Sequence, residues 1–166
     1  MPELRTVVDN LRLQYQGIFN FRELYTLIDR WYRDRGYDKY EVRNSEQHLP
    51  TGIQLEIELH PWKKITLYEE TQHKITIIAT DLKDVMVTKN GKKVKMQEGK
   101  LMIFFTVYLR TDYLGKWDSK PYFVFLRGIF DQVIYKSFID RDMKLLSEEI
   151  NHLYNVARTY LNMNKF

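Results

Sequence analysis

The feature that most constrains the fold is an alternating segment with an Asn-Gly dipeptide at its centre. Residues 85–89 and 92–96 flank Asn90 and Gly91, and this dipeptide between alternating arms is typical of a β-hairpin with a type I′ turn. The turn sets a register of three facing pairs: Lys89 with Lys92, Val87 with Val94, and Val85 with Met96. The apolar residues then share one face. The opposite face carries Met86, Thr88, Lys93 and Lys95.

Other segments of the same region also read as strands. Residues 101–109 are too apolar to leave either face in water, which predicts a central strand with both faces covered. Alternation predicts further strands over residues 53–60 and 68–80, and an edge strand over 37–44. No connection here is long enough for a crossover helix, so neighbouring strands should pair antiparallel.

The N-terminal part predicts one or two helices. Asn20 followed by Glu23 forms a capping box that predicts a helix over residues 21–35, with Gly36 ending it. Within it, Asp29 and Arg33 are spaced to pair. The spacing of apolar residues in 4–11 predicts a short helix, followed by a strand that ends at Gly17.

The C-terminal part predicts two helices. Ser119 and Pro121 suit the start of a helix over residues 122–137, whose wide apolar face is typical of a helix lying on a sheet, and Asp140 opens a last helix. The fold class is therefore α+β, in one domain spanning residues 1–166. We expect an antiparallel sheet, a meander of four to six strands, with two C-terminal helices packed on one face and an N-terminal helix.

Composition limits the function classes. The chain of 166 residues has no cysteine, which excludes disulfides and Cys-based zinc sites. No run approaches the roughly 18 apolar residues of a membrane span, and the N-terminus is charged where a signal peptide is apolar, so we expect no membrane span and a cytoplasmic location. A net charge of +4 favours an acidic partner.

Catalytic and metal motifs are not evident in the sequence. The glycines form neither a P-loop nor a dinucleotide fingerprint, and the four histidines lack metal-ligand spacing, so they should be surface residues or have protein partners. Glu56, Glu58 and His60 share one strand face and could hold a divalent cation or supply a base, although a polar strand surface is the commoner explanation. We expect no cofactor and no enzymatic activity.

A binding function has more support. Lysines beside aromatic residues suit phosphate neutralisation with base stacking. The predicted nucleic-acid-binding residues are Lys63, Lys64, Lys89, Lys92, Lys93, Lys95, Trp62 and Trp117. The expected partner is RNA, DNA or a ribonucleoprotein, whereas the simpler alternative is that the lysines solubilise a hairpin edge. Arginines in the first helix are candidates for a phosphate site or for an ordinary solvated face.

Two other functions stay open. An aromatic sheet face gripped by long helices could line a cavity, which would make the protein a helix-grip-like carrier of a small hydrophobic ligand. The same face could instead belong to the core or to the interface of a homodimer that acts as a protein-interaction module.

Three segments carry a resemblance: residues 17–25, 83–95 and 125–131. Together they resemble small archaeal proteins of uncharacterised function. The resemblance covers most of the chain and implies a cytoplasmic location, without a functional motif to transfer.

Overall fold

The computed structural model describes residues 3–115 and 120–163. Its strands and helices follow the chain in this order: β1 (Glu3–Phe19), α1 (Phe21–Asp34), β2 (Glu41–Leu49), β3 (Gly52–Leu59), β4 (Trp62–Lys64), β5 (Glu69–Lys89), β6 (Lys92–Thr111), α2 (Pro121–Ile129), a π-helical turn (Phe130–Ile134) and α3 (Lys136–Met163). The predicted α+β class, with an N-terminal helix and two C-terminal helices, is confirmed.

The sheet is antiparallel, with strand order β1-β6-β5-β3-β2 and the short β4 paired to β5. Strands β2, β3, β5 and β6 form the predicted meander, and β1 adds to the free side of β6. The first two strands therefore lie at opposite edges of the sheet, joined through α1. This helix starts as predicted, because the Asn20 side chain accepts a hydrogen bond from the Glu23 amide.

The predicted short helix near the N-terminus is wrong, because the whole segment belongs to β1. The pairing of β1 with β6 shifts register between Thr6 and Val8 and again between Val8 and Leu11, and Asn10 has a φ of 49°. Each irregularity adds residues to one strand and changes the alternation of faces. The resulting apolar spacing of three to four residues imitates that of a helix.

Strands β5 and β6 are longer than alternation predicted. A bulge between Thr80 and Lys83, with Asp81 at a φ of 57°, joins the two predicted strand segments into β5. Gly99 stands opposite this bulge, where a Cβ atom would lie 2.8 Å from the Thr80 carbonyl oxygen. The predicted break in β6 is therefore a close approach of two backbones within one continuous strand.

The core lies on one face of the sheet, beneath α1 and α3. Leu24 and Ile28 of α1, Ile150 and Leu153 of α3, and Phe105 of β6 are all buried, each contributing roughly 1.5–3 kcal/mol from its removal from water. The other face of β6 is less covered. Its residues Met102, Phe104 and Tyr108 are only half-buried. The prediction that both faces of this strand are covered is therefore correct only for the face beneath the helices.

The helix predicted over residues 122–137 is divided into α2 and the π-helical turn, and α3 begins before Asp140. The residue of α2 that is buried is Arg127, whereas the apolar side chains expected to lie on the sheet are exposed. They include Tyr122, Val124, Phe125 and Ile129. No helix within the described ranges is long and apolar enough to span a membrane.

Candidate nucleic-acid interface

The outer end of the β5–β6 hairpin projects beyond the sheet. On one side, β1 ends with Phe19 opposite Gln97, and on the other the pairing of β3 ends with Ile53 opposite Leu82. Among the described residues, no further strand pairs with positions 84–96. We call this two-stranded segment the ribbon. Most of its side chains are exposed, whereas Met96 at its base is buried.

The tip of the ribbon has the predicted turn. Asn90 and Gly91 have φ angles of 51° and 77°, and positive φ at both central residues is what a type I′ turn requires. The facing pairs Lys89 and Lys92, Val87 and Val94, and Val85 and Met96 are those predicted. The predicted register is confirmed.

Positive charge on the ribbon exceeds what its own acids neutralise. The side chains of Lys89, Lys92, Lys93 and Lys95 are exposed. Lys95 Nζ lies 3.2 Å from Asp84 Oδ2, and this contact lowers the pKa of Asp84. No carboxylate of the described residues lies within ion-pair distance of Lys92 or Lys93.

The lysines are divided between the two faces of the ribbon. Lys93 and Lys95 alternate onto the face of Gln97, whose Oε1 accepts a hydrogen bond of 3.1 Å from the Phe21 amide at the start of α1. Their face is therefore the one on which α1 lies. Lys92 stands on the opposite face, so an anion can approach the ribbon from either side.

The second predicted group, Trp62, Lys63 and Lys64, lies at the other end of the sheet. Its strand pairs with β5 at Glu70–Gln72, on the order of 60 Å from the tip at about 3.3 Å per residue. Lys63 Nζ is 4.4 Å from the centre of the Tyr37 ring and donates to the Arg35 carbonyl. The structure thus does not join this group to the ribbon, and Trp117 lies outside the described residues.

The row Glu56, Glu58 and His60 does not form a metal site. Glu56 accepts from Arg43 at 2.9 Å, and Glu58 contacts His60 at 2.8 Å, so protein partners occupy both carboxylates. Within residues 3–115 and 120–163, no group of three His, Asp or Glu side chains is arranged to hold a metal ion. The row is a polar strand surface.

A buried carboxyl pair was missed by the sequence analysis. Glu69 at the start of β5 and Asp142 of α3 are both buried, and their carboxyl groups lie close enough to interact. Burial first, and then Asp142, raises the pKa of Glu69 to about 7, while Tyr135 and Arg141 oppose the rise. Alternation could have found this residue, because Glu69 continues the inward row of Ile75 and Ile77.

The predicted partners for the histidines are confirmed, and the most buried one is His73. Its Nδ1 and Nε2 lie 3.0 Å and 3.3 Å from the hydroxyls of Tyr32 and Tyr37, and Tyr37 donates to Glu149 at 2.8 Å. The Tyr37 oxygen therefore accepts from Nε2–H, which leaves Nδ1 to accept from Tyr32. Burial lowers the pKa of His73 to about 3, so it stays neutral.

Comparison of the chain with protein-family models, curated proteins and solved structures gives no match in any of the three. A function is therefore inferred from the surface of the protein. Two open clefts, of about 660 Å³ and 520 Å³, lie between α1 and α3 and between β1 and α3. The layer between α3 and the sheet is filled by side chains such as Phe105 and Tyr154, whose ring centres are 6.2 Å apart.

Proposed function

We propose that the protein binds nucleic acid through the lysine-bearing ribbon. The observation that carries the proposal is a two-stranded projection whose ammonium groups outnumber its carboxylates and are exposed on both faces. Lysines so placed neutralise backbone phosphates and release condensed counterions. This contribution to affinity does not depend on the base sequence.

The shape of the ribbon suits a groove or a folded strand. The major groove of B-form DNA is about 12 Å wide and admits a two-stranded β-ribbon, whereas RNA offers loops and a shallow minor groove lined by phosphates and 2′-hydroxyls. Beside the lysines, the ribbon presents Met86 and Thr88, which supply little hydrogen bonding to base edges. We therefore propose sequence-tolerant binding to DNA or structured RNA.

The simpler explanation is that the lysines protect free strand edges from pairing with other chains. Binding measured by fluorescence anisotropy between roughly 50 and 200 mM salt separates the two explanations, with a labelled DNA duplex and an RNA hairpin as probes. Nucleic-acid binding should weaken steeply with salt. Lys89→Glu, Lys92→Glu, Lys93→Glu and Lys95→Glu together should abolish it without changing the circular dichroism spectrum.

A matched pair of double variants localises the effect. K92E/K93E should weaken binding at least about tenfold, while K136E/K144E changes the net charge equally at exposed positions of α3 away from the ribbon and should have a small effect. Wild-type protein without salt-sensitive binding to either probe would disprove the proposed function. Equal losses in the two double variants would show a general charge effect.

A further inference from the structure

The cleft between α1 and α3 has a row of basic side chains. Its volume is about 660 Å³, and Arg22, Thr26 and Arg30 of α1 line it together with Arg35. Positions 22, 26 and 30 repeat every four residues, so these side chains lie along one face of the helix. Arg22 and Arg30 are exposed.

The two sides of α1 differ in how their charges are compensated. On the side towards β2, Asp29 contacts Arg33, as predicted, and also accepts from Lys39 at 2.8 Å. On the cleft side, no carboxylate of the described residues is within ion-pair distance of Arg22 or Arg30. The cleft also holds Asp34 and Glu23, and Glu23 is engaged by the Tyr160 hydroxyl at 2.9 Å.

Arg35 is held in place at the end of this cleft. Its guanidinium carbon lies 4.0 Å from the centre of the Trp31 ring, and one of its nitrogens is 3.4 Å from His152 Nδ1. The same Nδ1 accepts from Trp31 Nε1 at 3.0 Å. An arginine stacked on an indole keeps its charge and loses rotamer freedom before any ligand arrives.

Arg22 connects the cleft to the ribbon. It also lines a smaller cleft of about 230 Å³ with Gln97 and Asp84 at the ribbon base, where Glu46 lies as well. Lys93 and Lys95 share the face of Gln97. The distance from Arg22 to Arg30 is about 12 Å along the helix, and that from Gln97 to Lys93 is about 13 Å along the strand.

We propose that the arginine cleft is the second half of the nucleic-acid surface, so that one continuous phosphate backbone contacts Lys93 and Lys95 and then Arg22 and Arg30. This inference rests on the proposed function of the ribbon. Together these two stretches cover roughly 25 Å, which corresponds to about seven base pairs at about 3.4 Å of duplex axis per phosphate of one strand. The cleft therefore predicts further binding residues and also the minimum length of nucleic acid that contacts both halves of the surface.

The test measures the affinity of wild type and R22E/R30E for DNA duplexes of increasing length. Only a duplex longer than about seven base pairs spans both halves. Wild-type affinity should therefore rise steeply above that length, by more than the larger number of overlapping binding sites on a longer duplex explains. R22E/R30E should lose this rise and bind a long duplex at least about tenfold more weakly. On a DNA hairpin with a stem of about four base pairs, which can occupy the ribbon alone, it should remain within about threefold of wild type.

The matched control is R33E/K144E, because Arg33 lies on the same helix with its charge already compensated by Asp29. Thermal melting checks that both variants fold. If K92E/K93E weakens binding but R22E/R30E behaves like R33E/K144E, the ribbon function stands and the cleft inference is overturned. An equal loss on short and long duplexes also overturns it. If the wild type binds neither length, the proposed function itself fails.

Discussion

The two ends of the β5–β6 hairpin are made by the same pair of strands yet have opposite environments. At the ribbon end, the lysine side chains are exposed, and no further strand of the described residues pairs with positions 84–96. At the other end, Glu69 faces Thr111, and both are fully buried beside Asp142 of α3. Alternation assigns each side chain to a face, but the neighbouring elements decide whether a polar group meets solvent or protein.

The contrast has an electrostatic consequence. Exposed charges keep their hydration, so the ribbon can hold several ammonium groups close together with little cost. Two adjacent buried carboxyls cannot both ionise readily, and burial together with the neighbouring Asp142 therefore raises the pKa of Glu69. The ribbon end is available for a partner, whereas the buried end makes stability depend on pH.

The largest expected difference between the two ends concerns packing. Leu109 is fully buried near the covered end, and Val94 is half-buried in the ribbon. Leu109→Ala should destabilise the fold by about 2–5 kcal/mol through lost burial and a cavity, while Val94→Ala should cost under about 1 kcal/mol. Urea unfolding followed by circular dichroism measures both. Similar values would mean that the ribbon is packed like the core.

The next effect is the pH dependence of stability. The pKa of Glu69 is raised from 4.5 to about 7 in the folded protein, mainly by burial, so its stabilisation is complete below pH 4.5 and lost as pH rises to about 7. His73, whose pKa is lowered to about 3, acts in the opposite direction and costs stability as pH falls below 6.5. Together they place maximum stability at mildly acidic pH.

Substitution separates the carboxyl from the histidine. Glu69→Gln keeps the shape but cannot ionise, so it should remove most of the fall in unfolding free energy between pH 6.5 and 8, above the range in which His73 acts. The expected change is roughly 1 kcal/mol. Denaturant unfolding at each pH measures the slope. Glu70→Gln is the matched control, because Glu70 lies on the other face of β5 and pairs with Arg110 at 3.5 Å. An unchanged slope in Glu69→Gln would assign the pH dependence to another group.

Much of the fold follows from sequence patterns, and the exceptions have physical reasons. The Asn-Gly turn and the Asn20 cap are short-range signals, and both formed as predicted. The Glu23 carboxylate, which the capping box assigns to the Asn20 amide, accepts from the Tyr160 hydroxyl instead. The bulges of β1 and the close approach of Gly99 to the Thr80 carbonyl depend on the partner strand. The residues of one strand do not show which strand it will pair with. The strand order likewise depends on long-range pairing, which places β1 beside β6.

The candidate site was predictable only in part for the same reason. Charge and alternation identified the lysines of the ribbon, because exposed groups are described by their own strand. Trp62 and Lys63 belong to a distant surface and contact Asp38 and Tyr37. That a lysine follows a tryptophan in the sequence does not reveal these contacts. The arginine cleft needed the packing of α1 against α3, since only that contact closes its second wall.

The smallest expected effect lies at the base of the ribbon, where Asp84 compensates Lys95. The lowered pKa of Asp84 keeps its carboxylate charged at neutral pH, so it competes with phosphate for the Lys95 ammonium group. Asp84→Asn should tighten binding to a DNA duplex about two- to fivefold and steepen the salt dependence by about one phosphate contact.

Asp81→Asn is the control, because Asp81 Oδ2 lies 3.6 Å from Lys100 Nζ outside the ribbon, and asparagine tolerates the same positive φ. Fluorescence anisotropy should show a gain for Asp84→Asn alone; equal gains would mean that net charge, and not the exposed ribbon, sets the affinity.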